Sequence, residues 1–73
     1  MTLADMNKNQ SGIISHIDSE FEIKRRLLDL GFIKGNEVKF ERKNIFGSPI
    51  AFNIEGSVVA LRKPDAAKVG VIL

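Results

Sequence analysis

The side chains best suited to metal or redox chemistry are almost absent from this 73-residue chain, which has no cysteine and one histidine, His16. Without cysteine it cannot build a disulfide scaffold, a zinc finger or an iron–sulfur site. Transition metals such as iron prefer histidine, carboxylate and thiolate ligands. His16 has only Asp18 beside it on the polar face of a predicted strand, so we interpret it as a surface histidine. We expect neither a bound metal nor a cofactor.

Motifs for catalysis and for membrane insertion are also missing. The sequence has no Gly-Lys-Ser/Thr phosphate loop and no clear nucleophile–histidine–acid set, so we expect a protein that is not an enzyme. No signal peptide is visible, and no apolar run approaches the ~20 residues of a membrane span. We therefore expect a cytoplasmic protein that does not insert into the membrane.

The basic run Lys24-Arg25-Arg26 could bind phosphate, but the residues around it favour a solvent-exposed helix face whose charges pair with each other. Glu22 precedes Arg26 by four residues and Arg25 precedes Asp29 by four, which is the spacing of ion pairs on a helix surface. We predict that both pairs form, which leaves a solvated and self-neutralised face. Basic residues elsewhere keep nucleic-acid binding open as an alternative; they are Lys34, Lys39, Arg42 and Lys43.

The clearest single element is a helix predicted from Glu20 to Leu30. Ser19 with Glu22 forms a capping-box pattern at its start, and Gly31 fits the left-handed position at its end. At 100° per residue the apolar side chains fall into two clusters. Ile23, Leu27 and Leu30 form the first, which we assign to the core. Phe21 and Leu28, with Lys24 between them, form the second, which either completes the core or is exposed.

Alternating apolar residues predict short strands in the rest of the chain. A helical turn after Thr2, a two-residue turn at Glu55-Gly56 and a single helical turn at Pro64 separate or flank them. A closed barrel would remove the free edges of so small a sheet, and the last strand is well placed to close it. We predict a mainly β, small α+β fold with five antiparallel strands. The predicted strands are 12–18, 37–43, 50–54, 57–62 and 69–73.

Residues 25–38, which read Arg-Arg-Leu-Leu-Asp-Leu-Gly-Phe-Ile-Lys-Gly-Asn-Glu-Val, resemble the ferrous iron transport protein A (FeoA) family. Supporting likeness lies in Leu3-Ala4-Asp5, Gly12-Ile13-Ile14, Ser48-Pro49-Ile50 and Val59-Ala60-Leu61-Arg62. The resemblance implies one SH3-like barrel domain over residues 1–73, with a helix inserted after the first strand. The same module forms the last domain of metal-dependent repressors of the diphtheria-toxin-repressor type. This chain lacks their DNA-binding and dimerisation domains, which favours the transport role.

The resemblance further implies a small accessory protein that contacts the cytoplasmic portion of the ferrous iron permease FeoB, whose own G-protein domain handles nucleotide. Its partner would recruit it to the inner face of the plasma membrane. The candidate partner-binding residues are Phe21, Lys24, Arg25, Leu28, Phe32, Lys34 and Phe46. Gly31, Gly35 and Gly56 are expected to be structural turn residues, and weak self-association through Phe21 and Leu28 is a further expectation. The alternative is a small barrel that binds nucleic acid or a peptide, like a stand-alone repressor domain.

Overall fold

A computed structural model describes all residues, 1–73, and contains five strands and two helices. A 3₁₀ turn at Leu3–Asp5 comes first. The remaining elements are β1 (Ser11–Ile17), α1 (Phe21–Asp29), β2 (Glu37–Lys43), β3 (Ile50–Ile54), β4 (Ser57–Leu61), α2 (Lys63–Ala66) and β5 (Val69–Ile72). All strand pairs are antiparallel in one sheet of order β4-β3-β2-β1-β5. The predicted mainly β fold, with a helix after the first strand, is confirmed.

Two β-bulges bend the sheet around a single apolar core. The register shifts between Ile14 and His16 in β1 and between Phe40 and Arg42 in β2, and such bulges increase local twist. Phe52 lies at the centre, with edge-to-face contacts to Phe32 at 6.4 Å and to Phe40 at 6.3 Å between ring centroids. The core has 13 buried residues, so one layer of side chains inside the curled sheet stabilises the domain.

The two edge strands of the sheet, β4 and β5, differ in whether another segment covers them. The outer side of β5 is covered by the N-terminal segment, because Thr2 forms a bridge with Gly70 and the Val71 N–H donates to the Met1 carbonyl at 3.0 Å. The outer side of β4 pairs with no strand. The expectation that the last strand would remove the free edges is therefore only half right: β5 pairs with β1 and leaves β4 open.

The turns at Thr2 and at Glu55-Gly56 lie where the local sequence predicts them. Glu55 and Gly56 have φ of 53° and 81°, which is the left-handed pair of a type I′ hairpin turn between β3 and β4. In the first turn the Thr2 N–H and hydroxyl both donate to Asp5 Oδ2, at 3.0 and 3.2 Å. The backbone hydrogen bond from Thr2 lowers the pKa of Asp5 below its ordinary value.

Candidate functional site

Helix α1 ends in a Schellman motif that sets the position of every residue after it. Gly31 has φ of 106°, and its N–H donates to the Leu28 carbonyl at 3.0 Å while the Phe32 N–H donates to the Leu27 carbonyl at 3.1 Å. This turn directs Phe32 back toward Leu27, and both side chains are fully buried. The prediction that Phe32 contacts a partner is therefore wrong, because its ring is part of the core.

The start of α1 differs from the predicted capping box. Glu20 is the N-cap residue, with extended backbone angles and no side-chain cap hydrogen bond. Ser19 lies one residue too early to accept from the first turn, and its hydroxyl is buried without a hydrogen-bond partner. The helix is held instead by its arginine, lysine and leucine residues, which favour helix, and by the burial of Leu27.

One face of α1 points to solvent although it carries two large apolar side chains. Phe21 is 75% exposed and Leu28 is 37% exposed, so the open question of their burial is answered in favour of exposure. Lys24 and Arg25 lie between them, which gives positions i, i+3, i+4 and i+7 of one helix face. We call Phe21, Lys24, Arg25 and Leu28 the α1 patch; together they line a shallow depression of about 300 Å³.

A groove of about 240 Å³ continues the α1 patch toward β1. Lys24 and Leu28 form one wall, and Lys34, from the loop after α1, lies at its rim. The remaining lining residues are Ile14, Ser15, His16, Ile17 and Phe32. The result is an apolar cleft bordered by two lysines and a histidine.

The positive charges of this surface have no partners within the chain. The only ion pairs join Asp65 to Arg26 and to Arg62, each at 3.4 Å. The predicted pairs of Glu22 with Arg26 and of Arg25 with Asp29 do not form. Asp65 is buried and a buried carboxylate requires a counter-charge, so Arg26 reaches across to α2. Lys24, Arg25 and Lys34 are left free to attract an acidic partner.

His16 and Ser15 are the groove residues that the sequence did not reveal. The Ser15 hydroxyl lies 3.0 Å from His16 Nδ1, and the His16 ring covers Gly70, where a Cβ atom would collide with it. The β1 bulge at Ser15 causes this arrangement, because it breaks the alternation on which strand faces are assigned. No cluster of three or more His, Cys, Asp or Glu side chains with metal-binding geometry is present in the chain.

Phe46 lies outside the α1 patch and outside the groove. It is 92% exposed in the loop between β2 and β3, and its N–H donates to Asn44 Oδ1 at 2.9 Å. β1 pairs with the start of β2, where Ile13 faces Glu37, whereas the Phe46 loop follows its other end. Phe46 lines neither the depression of the α1 patch nor the groove. The α1 patch and the groove therefore bring together five of the seven candidate contact residues, while Phe32 forms only a buried part of the groove wall and Phe46 lies outside both.

The curled antiparallel sheet, with one inserted helix and a mixed apolar and basic surface, places the chain among small SH3-like barrel domains. The FeoA domain family model matches residues 1–73, so the chain belongs to the FeoA family. The family resemblance noted from residues 25–38 is confirmed.

Named relatives agree with this assignment. Campylobacter jejuni has a protein named "Putative Fe(2+) transport protein A" that is 33% identical over 73 residues, covering 100% of this chain and 99% of the relative. A Porphyromonas gingivalis protein, named as a fusion of Fe(2+) transport protein A with the Fe(2+) transporter FeoB, is 26% identical over 73 residues, and this chain spans 9% of it.

A solved structure shows the same fold. The zinc complex of Stenotrophomonas maltophilia FeoA, described as a prokaryotic SH3 domain protein, superposes with a TM-score of 0.85 at 33% identity, covering 99% of this chain and 89% of the other. The longest helix of the present chain has nine residues, and none is long and apolar enough to cross a membrane.

Proposed function

We propose that this protein is a cytoplasmic, non-enzymatic accessory to ferrous iron uptake that docks on the cytoplasmic part of a FeoB-type permease. The observation that carries the proposal is the α1 patch, because a domain that exposes Phe21 beside Leu28 offers an apolar contact surface. The P. gingivalis relative is named as a fusion of Fe(2+) transport protein A with FeoB, which supports an association between these two proteins. Docking would recruit the protein to the inner face of the membrane.

The charges around the patch define the complementary surface on the permease. Lys24, Arg25 and Lys34 have no intramolecular partner, so the receptor surface should be apolar at its centre and acidic at its rim. Such charge complementarity accelerates association and makes it sensitive to salt. We expect binding that weakens as ionic strength rises.

The alternative of a nucleic-acid-binding barrel receives no support from the position of Lys39, one of the four basic residues that suggested it. Lys39 lines a shallow surface depression with Glu37, Glu41 and Glu55, so its charge is surrounded by carboxylates. A strand of phosphates would be repelled there. Arg42 and Lys43 line another depression without a carboxylate, but no aromatic side chain lies there for a base to stack on. We therefore retain the protein-docking function alone.

Backbone NMR of labelled protein, titrated with the permease's soluble cytoplasmic domain, tests the proposal. Chemical shifts should change in residues 14–17 and 21–35. Lys24→Glu should weaken binding about tenfold, whereas Lys39→Glu, the same charge change outside the patch, should leave it unchanged. Shift changes confined to the β2–β3 loop, or equal effects of the two substitutions, would refute the assignment.

A further inference from the structure

The loop between β2 and β3 contains a tight turn whose two central residues are large and apolar. The Gly47 N–H donates to the Asn44 carbonyl at 2.7 Å, and the Phe46 N–H donates to Asn44 Oδ1 at 2.9 Å. Ile45 and Phe46 are therefore the central pair of a β-turn and form the tip of the loop. They are 90% and 92% exposed, more than any other large apolar side chain of the protein.

The fold does not require these two side chains. Turns are usually built from Gly, Pro, Asn, Asp and Ser, and here Asn44 supplies the hydrogen bonds while Gly47 supplies the left-handed φ of 88°. Neither Ile45 nor Phe46 belongs to the core or packs against it. One exposed apolar residue is ordinary, but two adjacent ones at a loop tip indicate a contact surface.

The exposed charges next to the turn are positive. Arg42 and Lys43 precede it and line a depression that contains no carboxylate. Lys63 lies beside the loop, because its backbone N–H donates to Ser48 Oγ at 3.0 Å. None of these three cations takes part in an ion pair. The glutamates of the same strands and of the β3–β4 turn line a separate depression; they are Glu37, Glu41 and Glu55.

We propose that this loop tip enters the headgroup region of an anionic membrane. Ile45 and Phe46 lie among the first acyl carbons, and the three cations behind them meet the lipid phosphates. The contact is confined to the membrane surface and requires no spanning helix. It departs from the expectation that the chain does not insert, which depended on the absence of a long apolar run.

Shape and charge together favour a bilayer over other partners. Ile45 and Phe46 line none of the depressions of the surface, so a protein would need a pocket of its own to receive them, whereas lipid closes around any apolar protrusion. Bases of nucleic acid stack on aromatic rings within a basic groove, but Phe46 lies outside the depression that Arg42 and Lys43 line. An anionic bilayer offers phosphates above an apolar layer, which matches the cations and the tip at once.

This membrane contact does not rest on docking to the permease, because the loop lies outside the α1 patch and the groove. It would nevertheless assist docking. A protein held at the membrane surface meets an integral membrane partner at a raised effective concentration, so two weak contacts reinforce each other.

Fluorescence of the tip tests the proposal directly. The chain has no tryptophan, so Phe46→Trp places a single reporter there. Its emission should shift to shorter wavelength when vesicles of equal parts phosphatidylglycerol and phosphatidylcholine are added, and lipids brominated near the headgroup should quench it. Added salt should reduce the shift by screening the anionic surface. Ile72→Trp, a reporter at an exposed position of β5, should show neither shift nor quenching.

Co-sedimentation with the same vesicles separates the contributions of the tip and of the cations. Ile45→Ala should lower the partition coefficient about fivefold, because less apolar surface leaves water. Lys43→Gln should also lower it about fivefold, which is the effect of one basic residue at an anionic surface. Ile72→Ala and Lys39→Gln are the matched controls and should stay within about twofold of the parent protein.

Three results would overturn the proposal. The first is a Phe46→Trp emission that anionic vesicles leave unchanged; a shift with the permease's soluble domain or with single-stranded RNA instead would assign the tip to that partner. The second is vesicle binding that Ile45→Ala leaves intact or that Phe21→Ala abolishes, since another surface would then meet the lipid. The third is equal binding to vesicles of phosphatidylcholine alone, which would leave the cations without a role. The permease titration contains no lipid, so it tests the α1 patch separately.

Discussion

Substitution of Phe21 by alanine should weaken docking to the permease without weakening the fold. Burying a phenylalanine side chain completely is worth about 1.5–3 kcal/mol. Because Phe21 is 75% exposed in the free protein, about 1–2 kcal/mol of that remains available to a partner that covers it. The alanine variant loses this binding free energy, which corresponds to a loss of affinity of roughly 5- to 30-fold.

Phe46→Ala is the matched control for Phe21→Ala, because Phe46 is 92% exposed and lies near the other end of β2. Titration calorimetry of each variant against the permease's cytoplasmic domain measures the change in affinity. Urea unfolding should place both variants within about 0.5 kcal/mol of the parent protein. If Phe21→Ala binds within twofold of the parent, or if Phe46→Ala loses as much affinity, the reasoning from the α1 patch is refuted.

Three further experiments test contacts inside the domain. A double-mutant cycle of Arg26→Ala and Asp65→Ala should give a coupling energy of about 0.5–1 kcal/mol that falls with salt, because the 3.4 Å pair has one largely exposed member. Gly70→Ala should cost about 1–3 kcal/mol in urea unfolding because its Cβ meets the His16 ring and the Ser15 hydroxyl, and His16→Ala with Ser15→Ala in the same chain should recover most of that loss. The carboxyl of Asp5, followed by NMR, should titrate below its ordinary range. Its contribution to stability is then present above the unfolded pKa of about 3.9 and lost as the pH falls through the lower folded value, and Asp5→Asn should remove that loss.

Each of these tests has an outcome that contradicts it. A coupling energy of zero would mean that Arg26 does not hold α1 to α2 in solution. Equal destabilisation by Gly70→Ala in the parent chain and in a chain that carries His16→Ala and Ser15→Ala would place the clash elsewhere. An Asp5 carboxyl with an ordinary pKa would show that the Thr2 hydrogen bonds do not persist.

Turns were the most predictable part of this molecule, because their causes are local. Gly31 and Gly56 adopt left-handed angles that residues other than glycine rarely tolerate, so sequence alone located the end of α1 and the β3–β4 hairpin. Strand alternation then fixed the order of the elements. The fold class followed from these features before any contact was known.

Features that depend on distant residues could not be predicted. Arg26 was assigned to Glu22, four residues away, yet it pairs with Asp65, 39 residues along the chain, because burial of that carboxylate outweighs a weak surface pair. Ser19 matched a capping pattern whose register the structure shifts by one residue. Phe21 begins α1 and Phe32 follows its end. The direction of the chain after Gly31 buries Phe32, while Phe21 lies on the exposed face of the helix.

The first residue, Met1, lies near the last, Leu73, because the Val71 N–H donates to the Met1 carbonyl and Leu73 follows Val71 by two residues. A short glycine–serine linker could therefore join them, and the chain could be reopened in the exposed loop between β2 and β3. Such a circularly permuted protein would retain all five strands and the α1 patch. It would also offer new ends, far from that patch, for attaching a probe or a surface.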